Sequence, residues 1–181
     1  MGKGKFPVGI DPKCLPNGKK SFDELTPEEQ EMAMRNFVSA LSQDMSKKIE
    51  QIRKSKKLPS PEFNKLYSST QEGMKRCAKL LLGDDAFEPD VEKPTDNTTA
   101  VRRKAVACGY LMGSIRGFSE GLTKIPSNKV WLGKIVKTLI QTLKGEVQKI
   151  FNDLSRMLSE NPNDEELKEL VSAIGSRMKN L

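Results

Sequence analysis

The chain has 181 residues, the length of one domain, and its 31 Lys and Arg outnumber 24 Asp and Glu for a formal net charge of +7. Apolar residues make up 36%, below the roughly 45–50% usual for globular domains, so the core is modest. There is no histidine, which excludes Ser-His-Asp and Cys-His catalysis and every metal site that depends on imidazole.

Residues 1–24 read as a flexible basic tail, because Pro7, Pro12, Pro16 and Gly18 offer turn chemistry without any apolar period. The first helix is predicted from Thr26-Pro27-Glu28-Glu29, a capping box with Thr as N-cap, Pro at the first helical position and Glu at the third. Met34, Phe37, Val38, Leu41, Met45, Ile49 and Ile52 then repeat at three and four residues, one face of a helix. That helix is expected to end in the basic run Arg53-Lys54-Ser55-Lys56-Lys57, before Pro59.

A second helix opens at Ser60-Pro61-Glu62 and carries the stripe Phe63, Leu66, Tyr67, Thr70, Met74, Cys77 and Leu81, with Gly83 placed to terminate it. Residues 84–98 interrupt the pattern as a flexible acidic loop, where Asp84, Asp85, Glu88, Asp90, Glu92 and Asp96 face only Lys93. The third helix is expected after Asn97, running to about Leu122, with Val101, Ala105, Cys108, Met112, Ile115 and Leu122 inward. The fourth runs from near Ser127 to Leu158 and carries the cleanest amphipathic signal of the chain. Asn161-Pro162-Asn163 stops it. A fifth helix follows with Asn163 as cap, acids in its first turn, and Leu167, Leu170, Val171 and Ile174 inward. No segment alternates at period two, so the expected class is all-α: a single five-helix bundle over 25–181.

The third helix holds an odd feature. Gly109, Gly113, Gly117 and Gly121 recur every four residues, and each glycine inside a helix costs about 1 kcal/mol relative to Ala. They form a slanting stripe that shares its side with Val106 and Tyr110 and lies beside the apolar stripe. Three readings are open: a close crossing inside the chain, for example with the fourth helix; an early helix end at Gly117 or Gly121; or a face for self-association or a partner. Val106, Gly109, Tyr110, Gly113, Gly117 and Gly121 are the candidate interaction face.

Positive charge is diffuse, with peaks at Arg53, Lys54, Lys56 and Lys57 and at Arg102, Arg103 and Lys104. These seven are candidate phosphate contacts, although no nucleic-acid-reading motif accompanies them and the aromatics fall mostly on core faces. Cys14, Cys77 and Cys108 are odd in number and lack a C-x-x-C pair, which favours a reducing compartment. No secretory signal or 18-residue apolar run is visible, so a cytoplasmic protein is expected. Met1-Gly2 with Lys3 and Lys5 hints at a myristoyl anchor, but Phe6 stands where Ser or Thr is wanted. Trp131 with Lys134, Lys137, Lys144 and Lys149 has the composition of an interfacial helix, yet its stripe is expected in the core, and membrane binding is not expected.

No P-loop or dinucleotide fingerprint occurs. Near the carboxyl end, Glu165-Glu166-Leu167-Lys168-Glu169 resembles the glutamate-rich export signals of some bacterial type IV effectors. The expected function is therefore non-enzymatic, without cofactor or metal: a helical interaction protein (adaptor, effector or assembly component) that binds a protein partner or itself. The alternative is a sequence-independent nucleic-acid-binding protein using the basic clusters.

Overall fold

The computed structural model describes residues 24–54, 60–83, 86–88 and 99–181. The basic tail, Lys56 and Lys57, Cys14, and the acidic loop apart from 86–88 lie outside the described residues. Five helices form: α1 (Pro27–Lys54), α2 (Ser60–Leu82), α3 (Ala100–Leu122), α4 (Val130–Glu160) and α5 (Glu165–Met178). No strand occurs among the described residues, and the class is all-α.

Local chemistry sets most of the ends. At α1 the backbone N–H of Glu29 donates to Thr26 Oγ1 at 3.2 Å, and the N–H of Thr26 donates to Glu29 Oε1 at 3.0 Å. That reciprocal pair satisfies two amides the helix leaves orphaned. Gly83 ends α2 with φ +85°, and its N–H donates to the Lys79 carbonyl at 2.9 Å. A side chain is disfavoured in that left-handed conformation.

Three expected ends shift. Thr99 caps α3 by accepting the Arg102 N–H. Asp164, one residue beyond Asn163, caps α5 by accepting the Leu167 N–H at 3.1 Å. Helix α4 begins at Val130 because the chain after Leu122 is still turning: Thr123, Lys124 and Ile125 each donate three residues back.

The helix directions follow from side-chain pairs. Arg53 meets Asp153 at the C-terminal end of α1, while Arg35 and Val38 lie with Lys134 and Ile135 near its start, so α1 and α4 run parallel. Phe63 lies by Arg103, Tyr67 by Tyr110 and Leu82 by Gly121, so α2 and α3 also run parallel. The α3–α4 turn reverses the chain, and Gly175 beside Phe151 makes α5 antiparallel to α4. The bundle thus has α1 and α4 in one direction and α2, α3 and α5 in the other.

All five helices share one apolar core. The expected stripes of α1, α2 and α4 are buried, with Leu41, Leu66 and Trp131 at their half-exposed margins. Helix α3 differs from expectation. Val106, Ala107, Tyr110, Leu111, Ser114, Gly117 and Phe118 are buried along with Cys108, Met112 and Ile115. Burial therefore covers most of the helix, leaving a narrow exposed strip at Arg102, Arg116 and Glu120, because α3 packs against each of the other four. Ser114, fully buried, meets its polar requirement by donating to the Tyr110 carbonyl at 2.9 Å.

Candidate functional site

The glycine stripe accommodates neighbours within the chain. A Cβ on Gly117 would overlap the ring of Phe87, from the connection after α2, and that ring stands edge-on to Phe118 with centroids 4.9 Å apart. A Cβ on Gly121 would come within 2.5 Å of Leu82 Cδ1. At Gly109 the neighbour is Arg177 Nη1 of α5, 3.4 Å from the Cβ position. At Gly109, Gly117 and Gly121 the near neighbours come from α5, the connection after α2 and α2, and none of them from α4. The early-end reading is overturned: α3 continues unbroken through Gly117 and Gly121 to Leu122.

Of the candidate interaction face, Val106, Tyr110 and Gly117 are buried, and Gly109, Gly113 and Gly121 are half-buried. Two grooves flank it. One, of about 350 Å³, is bordered by Gly109, Arg102 and Arg177; the other, of about 770 Å³, by Gly117, Gly121, Phe87 and Trp131.

The basic clusters are largely engaged. Arg53 forks onto Asp153, with Nε–Oδ2 at 2.9 Å and Nη2–Oδ1 at 3.3 Å. Lys54 pairs with Glu50 at 2.7 Å, and the Lys54 ammonium holds the Glu50 carboxyl below its ordinary value. Arg103 lies over the Phe63 ring, 5.3 Å from its centroid, and Lys104 is buried with Nζ 4.0 Å from Met157 Sδ. Arg102 is exposed. Arg53 and Lys54 at the end of α1 and Arg102–Lys104 at the start of α3 lie at the same end of the bundle, where Asp153 and Met157, one turn apart on α4, meet Arg53 and Lys104.

A different arrangement concentrates unpaired positive charge. Between the parallel helices α1 and α4 runs an open groove of about 920 Å³. Val38, Ile135 and Leu139, all buried, form its floor. Arg35, Ser39, Ser42, Ser46 and Lys47 form the α1 wall, and Lys134, Lys137, Thr138 and Thr142 the α4 wall. These positions recur at three and four residues and so stack on one face of each helix.

No acidic residue lines this groove among the described residues. Among the described residues Lys47, Lys134 and Lys137 form no ion pair, and the side-chain hydroxyls of Ser39, Ser42 and Ser46 make no hydrogen bond. Arg35 is bonded to Glu31 at 2.6 Å. Thr138 and Thr142 donate to the Lys134 and Thr138 carbonyls at 3.0 and 3.2 Å. The groove thus offers ammonium groups and hydroxyls to an anion.

The thiols have no such opening. Cys77 and Cys108 are unpaired and buried, and burial pushes each up to about 12. Burial also raises Tyr110, whose hydroxyl faces the Gln71 carbonyl at 3.5 Å. Among the described residues no cluster of three acidic or cysteine side chains could hold a metal ion, and no helix is long and apolar enough to cross a membrane. The chain matches no family model, no curated protein and no solved structure.

Proposed function

We propose that this chain is a non-enzymatic helical binding module whose partner is a polyanion, held along the α1–α4 groove. The observation that carries this reading is the gathering of Lys47, Lys134 and Lys137 without carboxylate partners among the described residues, on walls that hold no acid there. Like charges in a concave wall reinforce one another and raise the local concentration of counter-ions. Arg53 and Lys54, by contrast, are already matched by Asp153 and Glu50. Association with a protein or a second copy through the glycine face draws on less, since Val106, Tyr110 and Gly117 are covered from within the chain.

Cys77 and Cys108 are not candidate nucleophiles, because a thiol held near 12 stays protonated. Two unpaired core cysteines also suit a reducing, cytoplasmic setting.

Titration with a heparin oligosaccharide, followed through backbone amide shifts, tests the reading. The expected changes cluster over 35–47 and 134–142. Changes centred on Arg102 and Arg177, or none at low salt, would overturn it.

A further inference from the structure

We infer that the polyanion is a nucleic-acid duplex, gripped through its phosphate backbone without reading of sequence; this rests on the polyanion reading of the same groove. The charge is of the right kind. An ammonium is a compact point charge suited to phosphate, whereas the planar carboxylates of an acidic protein are best matched by arginine forks. Lysines carry the unpaired charge here, and the single arginine of the walls is already bonded to Glu31.

The walls also lack what a single strand needs. Among the described residues no aromatic side chain lines the groove, so the bases of a single strand find no stacking platform there.

Length is the remaining argument. Arg35 and Lys47 are twelve residues apart on α1, about 18 Å by the helical rise. That distance covers roughly five base-pair steps at about 3.4 Å each. Between them, the uncommitted Ser39, Ser42 and Ser46 hydroxyls can donate to phosphate oxygens, contacts that position a duplex and carry no sequence information.

Fluorescence anisotropy of a short mixed-sequence DNA duplex against the full chain, from about 50 to 200 mM salt, tests the inference. Three phosphate contacts give a slope of log K on log salt near −2.7, a loss of about 40-fold over that range. The double variant Lys134→Gln/Lys137→Gln flattens the slope by about 1.8. Lys179→Gln, exposed at the far end of α5, leaves it unchanged. Thermal melting of each variant checks that the bundle is intact.

Absence of duplex binding at the lowest salt, tighter binding of the single strand, or equal flattening by Lys179→Gln would overturn the inference. Duplex failure with heparin still bound at the groove removes the duplex alone and keeps the polyanion reading. Failure of both removes both.

Discussion

At Gly117 and Gly109 the same substitution should have opposite effects. Alanine adds about 0.5–1 kcal/mol of helix stability over glycine where space exists. At Gly109 the nearest neighbour is the flexible end of Arg177, 3.4 Å from the Cβ position, so Gly109→Ala should raise the melting temperature. At Gly117 the Cβ overlaps the Phe87 ring, and overpacking of that kind typically costs about 1–3 kcal/mol. Gly117→Ala should therefore destabilise, and in a Phe87→Ala background the penalty should vanish. A penalty that persists without the ring would place the obstruction elsewhere. The buried thiols give a residue-scale pH dependence. Folded Cys77 and Cys108 hold their protons up to about 12, against an ordinary value of 9.0. Between those values the unfolded state binds fewer protons, so the thiol contribution is complete below about pH 9 and is lost as pH climbs toward 12. Denaturant midpoints near pH 8 and pH 10 should fall further apart in the parent chain than in Cys77→Ala/Cys108→Ala. An identical spread would mean that the thiols do not contribute.

Between elements, the Arg53–Asp153 fork fastens α1 to α4 across 100 residues of chain. Both side chains are mostly buried, at 18% and 12% exposure, and Arg156 lies 3.8 Å from the second Asp153 oxygen. Arg53→Met removes the nearer cation and leaves a mostly buried carboxylate underserved, a loss of about 1–3 kcal/mol. The double variant Arg53→Met/Asp153→Leu should recover much of that, since replacing both partners with apolar groups of similar shape avoids the orphaned charge. Chemical denaturation of the parent, Arg53→Met, Asp153→Leu and the double variant measures the coupling, and additive losses would show that the fork is not a unit. The helices on either side of this fork were legible in the sequence because Met34, Phe37, Val38, Leu41 and Met45, or Ile135, Leu139, Ile140 and Leu143, repeat with the helical period. The box at Thr26 was legible because both of its residues are local. Helix α3 was harder. Its apolar stripe is visible in sequence, but the glycine side leaves a close crossing, an early end and a self-association face all open, since no local signal announces that Phe87 and Leu82 fill it. The groove was illegible for the same reason at longer range. Lys47 and Lys134 lie far apart in sequence, and each alone reads as an ordinary solvated lysine.

Across the whole molecule, α3 packs against the other four helices, and α5 packs against both α3 and α4. Helix α5 is the shortest of the five, at 14 residues, too short to hold its form without packing. Its attachment rests on Leu167 and Ile174, the two residues of α5 that are buried. Beneath it lies Cys108, fully buried and close enough to Arg177 for that charge to oppose the upward push of burial. Cys77 is buried in the core on α2, which packs mainly against α1 and α3. The two thiols therefore report on different parts of the bundle. Leu167→Asp places a carboxylate where 1% of the side chain meets solvent, a change expected to cost about 3 kcal/mol or more. Local opening of α5 should then precede global unfolding, as the least anchored unit opens first. Alkylation followed by peptide mass spectrometry should find Cys108 modified well before Cys77 in Leu167→Asp, with both slow in the parent chain. Equal rates in the variant would mean that α5 and the four longer helices melt together, so that the bundle is a single cooperative unit down to its last helix.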